Sequence, residues 1–125
     1  MILLIIDDYI VDVKVISQWI QEENPNIKIY HAESVDDAQK KLVNHTDVQV
    51  VISDYYLKAS NETAEDVREM LEITDRDLPM IVVTGCLDSL QRRENLSNFP
   101  HVFDKIDMQG DWKNVLTTAK GLIDE

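Results

Sequence analysis

Residues that build linkers, bridges and anion sites are scarce in this chain. Only 3 Gly and 3 Pro occur among 125 residues, which excludes long flexible linkers, and no low-complexity tract or internal repeat interrupts the sequence. One domain covering residues 1–125 is expected, since this length is common for a domain that closes its own core. The lone Cys86 cannot form an internal disulfide, which fits a reducing compartment, and its simplest role is that of a small buried hydrophobe. No apolar run approaches the roughly 20 residues of a spanning helix, and the N-terminus lacks the basic flank and cleavage site of a signal peptide. A cytoplasmic location is the simplest expectation. Positive charge is also scarce. Lys and Arg number 12 against 24 Asp and Glu, so the net charge of −12 argues against nucleic acid or an anionic membrane as partner and favours a cationic ligand.

What is present is a series of short apolar runs. "MILLIIDDY" carries five aliphatic residues, Ile2 to Ile6, straight into two carboxylates, the pattern of a strand buried on both faces of a parallel sheet. Val11, Val15, Ile16, Trp19 and Ile20 recur at helical spacing and predict a first helix with that stripe as its core face. Asn24, Pro25 and Asn26 predict a turn, and Ile27 to His31 a second strand. Ser34 with Asp37 resembles a capping box for a helix through Ala38 and Leu42 that ends near Asn44 and His45. Val48 to Asp54 predicts the third strand, Thr63 caps a helix through Ala64, Val67, Met70 and Leu71, and "MIVVTG" after Pro79 predicts the fourth strand. A more polar helix over 87–96, a short strand in "HVFDK" and a last helix from about Trp112 to Ile123 complete the order, with Gly110 and Asp111 expected to turn and cap that helix. Strands alternating with helices imply an α/β fold, one parallel sheet covered on both faces.

Informative side chains stand where strands end. Asp7 and Asp8 close the first strand, Asp54 the third, Thr84 the fourth and Lys105 the fifth. In an open parallel sheet those ends share one edge, where ligands bind. Three carboxylates gathered there repel one another unless a hard cation joins them, and Mg²⁺, which takes oxygen ligands and keeps several waters, suits the set. Asp7 and Asp8 taken alone would equally serve to cap the first helix, and Asp54 alone to make a turn. His31, His45 and His101 show no ligand spacing, and "DDYIVD" lacks the Gly and closing Glu of an EF-hand. Trp112 fits either the core or an exposed contact.

With these residues in place, the chain resembles the receiver domain of two-component response regulators, and the resemblance runs from Met1 to the C-terminus. It implies a flavodoxin-like, doubly wound sheet of five parallel strands in the order 2-1-3-4-5. It also implies Asp54 as phospho-acceptor, Thr84 and Lys105 as the pair contacting the phosphoryl group, and a Mg²⁺ site (Mn²⁺ as substitute) formed by Asp7, Asp8, Asp54 and the backbone carbonyl of Tyr56. A sensor histidine kinase or a histidine phosphotransfer protein is the implied donor. A chain without room for a DNA-binding output domain is expected to act as a stand-alone, chemotaxis-type receiver, signalling through an output protein or relaying the phosphoryl group. It would not be an enzyme in the usual sense but an acceptor that assists its own phosphotransfer and dephosphorylation.

The sequence departs from the family pattern at three places. "YYLKASNET" replaces the usual Met-Pro and Gly after the acceptor, Val102 stands at the usual switch aromatic between His101 and Phe103, and Ile106 replaces the Pro after the Lys, which predicts a trans peptide there. Two other functions compete: a receiver-fold interaction module without phosphorylation, and a Mg²⁺-dependent aspartyl phosphohydrolase. The latter generally needs a second acid near the nucleophile, where this chain has Tyr56.

Overall fold

A computed structural model of the chain describes residues 1–84, 99–104 and 108–123. Its elements are β1 (Ile2–Ile6), α1 (Ile10–Glu23), β2 (Lys28–Ala32), α2 (Val35–Asn44), β3 (Val50–Asp54), β4 (Tyr56–Leu57), β5 (Glu62–Thr63), α3 (Ala64–Ile73), β6 (Met80–Thr84), β7 (Val102–Asp104) and α4 (Met108–Ile123). The main sheet is parallel with order β2-β1-β3-β6-β7. Counting its five strands alone, this is the expected 2-1-3-4-5 topology.

The period-2 alternation of the strands divides the core into two layers. Leu3 and Ile5 of β1, Val50 and Ile52 of β3 and Ile81 and Val83 of β6 face one way, against Val13, Ile16 and Ile20 of α1 and Trp112, Val115, Leu116 and Ala119 of α4. Leu4, Ile6 and Val51 face the other way, against Ala38 and Leu42 of α2 and Val67, Met70 and Leu71 of α3. Both faces being covered, the strands read as unbroken aliphatic runs, and each fully buried Leu or Ile contributes about 1.5–3 kcal/mol.

Caps hold as the sequence suggests. Ser34 Oγ accepts from Asp37 N at 3.1 Å at the start of α2, and Thr63 N donates to Asp66 Oδ2 at 2.8 Å at the start of α3. Arg76 Nη1 donates to Leu42 O at 2.9 Å, tying the end of α2 to the segment after α3.

Several expectations need correction. On α1, Val11 and Val15 are exposed, and Val13 joins Ile16 and Ile20 in the core while Trp19 packs half-buried beside them. The last helix begins at Met108, so Gly110 and Asp111 lie within it and neither turns nor caps the chain ahead of it. Strands β2 and β3 start at Lys28 and Val50, one and two residues later than expected, and β2 runs one residue further, to Ala32. Residues 56–63, where the sequence departs from the family pattern, form a hairpin, with Tyr56 opposite Thr63 and Leu57 opposite Glu62. The hairpin turns at Asn61 with φ 56°, a left-handed conformation that Asn tolerates better than most residues. The polar helix over 87–96, Gly85, Cys86, Lys105 and the Lys105–Ile106 peptide lie outside the described residues. Among the described residues no helix is long and apolar enough to cross a membrane.

Candidate metal centre at the carboxyl edge of the sheet

Strand register alone brings the acids together. Ile6 pairs with Ser53, so the residues that follow, Asp7 and Asp54, stand level on adjacent strands. Both continue the face of Ile5 and Ile52, and both line one small void under α1 and α4. Asp8, one residue on, completes the group: one carboxylate oxygen from each of Asp7, Asp8 and Asp54 lies within 4.8 Å of the others. Asp7 is buried, while Asp8 and Asp54 are half-buried at the mouth.

Neighbouring groups hold these acids in place. Asp7 N donates to Ala32 O at 3.0 Å, and Asp7 Oδ1 accepts from Tyr9 N at 2.9 Å in an Asx turn that starts α1. His31 Nε2 lies 2.8 Å from Asp7 O, so the imidazole donates to that carbonyl from the edge strand β2. Asp8 Oδ2 accepts from Ala59 N at 2.8 Å, which pins the tip of the β4-β5 hairpin to the acidic pair across 51 residues of sequence. Neither Asp7 nor Asp8 caps α1, whose N-cap is Tyr9 without a side-chain cap; the Asp7 carboxylate instead fixes the turn into the helix through Tyr9 N while also belonging to the cluster.

Like charges at this spacing cost on the order of 3 kcal/mol per pair at an effective dielectric of about 20. An oxygen-only donor set of three convergent carboxylates fits a hard divalent cation, which would reverse the sign of that energy. Tyr56, whose carbonyl is the further expected ligand, opens the hairpin two residues beyond Asp54.

Thr84 reaches the same edge by register. Asp54 is level with Val83 on β6, so Thr84 stands one step past it, buried at the strand end. Thr84 in turn is level with Asp104 on β7, the residue before Lys105; Lys105 itself lies outside the described residues. Val102 packs on the other face, in a cluster with Val82, Tyr55 and Phe99. Aromatic rings are present there after all. Tyr55 is buried, donates from its hydroxyl to Glu65 Oε1 at 3.3 Å, and meets Tyr56 and Phe99 edge-on at 4.9 and 6.4 Å.

Sequence reasoning gave no role at this edge to His31, Ala59 or Tyr55, and it left Trp112 open between core and exposed contact, where the structure buries it. Ala59 acts through its backbone and left no signal, whereas Tyr55 beside Asp54 could have been marked as unusual.

No family model matches the chain, and no curated protein is significantly similar to it in sequence. Solved structures do match. The receiver domain of a Francisella response regulator aligns with 98% of this chain and 96% of its own at 20% identity and TM-score 0.71. The response regulator TrrA from Thermotoga maritima, in complex with Mg²⁺-BeF, aligns over 94% and 97% at 18% identity and TM-score 0.75. The NtrX receiver domain from Brucella abortus covers 98% of each chain at 14% identity and TM-score 0.75. This chain has the fold of response regulator receiver domains.

Proposed function

We propose that the chain is a phosphoryl-accepting signalling switch, with Asp54 as acceptor. The observation that supports this reading best is the convergence of Asp7, Asp8 and Asp54 within 4.8 Å at the edge where a parallel sheet binds ligands. Asp7, Asp8, Asp54 and the Tyr56 carbonyl would hold Mg²⁺, or Mn²⁺ in its place. The bound ion supplies positive charge that draws phosphoryl oxygens toward an otherwise repellent set of acids.

A carboxylate oxygen of Asp54 attacks the phosphorus of a phosphohistidine, the P–N bond breaks, and the imidazole nitrogen leaves with the electron pair and takes a proton from solvent. Thr84 donates its hydroxyl to a phosphoryl oxygen and Lys105 supplies an ammonium from the neighbouring strand end. Water later attacks the acyl phosphate, inorganic phosphate leaves and the Asp54 carboxylate is regenerated, so the chain assists both its own phosphorylation and its decay. The donor would be a sensor histidine kinase or a histidine phosphotransfer protein, and Tyr9, Ile10, Val11 and Val15, all 45–58% exposed around the start of α1, form an apolar surface beside the acids for such a protein to cover. Output passes to a protein partner, in a cytoplasmic setting consistent with the single Cys86.

Incubation with a small phosphodonor and Mg²⁺, followed by intact-mass analysis, tests the reading. At most one adduct per chain is expected, decaying slowly once the donor is removed; no adduct would leave an interaction module, and many rapid turnovers without an adduct a phosphohydrolase.

Metal binding has its own check. Asp8→Ala is expected to weaken Mg²⁺ binding at least about tenfold, because one carboxylate beside a divalent ion is worth several kcal/mol at a dielectric of about 20. Asp8→Asn keeps an acceptor for Ala59 N–H and should weaken the metal similarly. Calorimetric titration giving unchanged affinity in both variants would remove Asp8 from the ligand set.

A further inference from the structure

Trp112 on α4 is 3% exposed, and its indole Nε1–H is buried without a hydrogen-bond partner among the described residues. Buried donors in folded proteins are nearly always paired, so this one asks for a ligand. Trp112 lines a void of about 10 Å³ together with Asp7 and Asp54, and the other walls are aliphatic, among them Val13 and Ile16 of α1. That volume is about one water molecule's worth of accessible space, too little for an organic ligand.

We propose that a buried water sits in this void and joins the Trp112 indole to the carboxylates of Asp7 and Asp54. The hydrogen-bond inventory closes: the indole donates to the water oxygen, and the two water hydrogens are donated to the two acids. A cation is disfavoured at this spot, because an indole N–H presents the positive end of its dipole. The site is therefore distinct from the metal centre at the mouth and lies on its inner side. Trp112 becomes a positioning residue, holding Asp7 and Asp54 through the water from the face opposite Val102. Any pull on those carboxylates from outside then reaches α4 directly, a route that does not need a ring at position 102. This coupling rests on the metal-binding reading above; the water site does not.

NMR of the ¹⁵N-labelled full chain tests both parts. Trp19→Phe assigns the two indole signals, and in the metal-free protein the Trp112 Nε1–H is expected to show a dipolar cross-peak to a long-lived water. Addition of Mg²⁺ should shift that indole signal together with the amides of Asp7 and Asp54. Trp112→Phe, which keeps a ring and removes the donor, should lower Mg²⁺ affinity about tenfold, as loss of an outer partner of a metal ligand typically does, read on the folded protein because the smaller ring also costs some core packing. Absence of the water cross-peak in the unsubstituted chain would overturn the water site. Unchanged Mg²⁺ affinity in Trp112→Phe would overturn the positioning role. A persistent water cross-peak with no response of Asp7 or Asp54 to Mg²⁺ would instead sink the metal reading, and the coupling with it, and leave the water site standing.

Discussion

Asp54→Asn is expected to abolish phosphoryl transfer to the chain completely, with no adduct detectable by intact mass after prolonged incubation with phosphodonor and Mg²⁺. The amide is nearly isosteric with the carboxylate, so the strand register that sets Asp54 level with Asp7 and Val83 should survive. It is, however, a poor nucleophile and carries no charge. Removing one of three crowded carboxylates also relieves repulsion on the order of 3 kcal/mol per pair. The substituted protein should therefore unfold at equal or higher denaturant concentration than the unsubstituted one in the absence of metal. Loss of modification with retained stability separates a chemical role from a structural one. An adduct that persists in Asp54→Asn would move the acceptor elsewhere, and a marked loss of metal-free stability would show that Asp54 is held by favourable contacts that outweigh its repulsion.

Leu57→Ala is expected to be the most damaging conservative change near the site, costing about 2–5 kcal/mol. Leu57 is fully buried in the cluster that includes Ala38, Val67 and Leu71, and it is the anchor of a hairpin whose two strands have only two residues each. Backbone pairing that short holds little by itself. Truncation leaves a cavity and loosens Tyr56 and Ala59 together, so Mg²⁺ affinity should fall along with stability. Ser60→Ala, at the exposed tip, should stay within about 0.5 kcal/mol of the unsubstituted protein. Urea denaturation with and without Mg²⁺ checks both, and a Leu57→Ala loss below about 1 kcal/mol would mean that the hairpin is held by its turn and its tie to Asp8 rather than by its buried side chain.

The sheet was legible because strands buried on both faces leave a mark that side-chain period cannot blur: Ile2 to Ile6, Val50 to Ile52 and Ile81 to Val83 are aliphatic without interruption. The acids were legible for the same reason, as the first charged residues after β1 and at the end of β3. Helix α1 was harder. Ile10, Val11, Val13, Val15 and Ile16 give apolar residues on more than one side, so the 3.6 period fits two stripes, and tertiary packing chose the one through Val13. The hairpin left no sign because its strands are two residues long and its turn uses Asn61 where Gly would have announced it. The start of α4 was misplaced because Gly110 reads as a breaker, although a helix carries one Gly at a cost of about 1 kcal/mol. The links from His31 to the Asp7 carbonyl and from Ala59 to Asp8 depend on which strands become neighbours, and local spacing carries no record of that.

The pairing of β1 with β3 has a consequence for how the chain could be divided. The acids are split between the first 8 residues and position 54, and they meet only through the register of Ile6 with Ser53. A break in the exposed turn at Thr46 and Asp47 would leave Asp7 and Asp8 on one fragment and Asp54 on the other, each holding too few ligands for a divalent ion. Fragment complementation would then have a built-in reporter. High-affinity metal uptake would appear only as the two pieces rejoin their central strands, and its appearance would time the closing of the sheet.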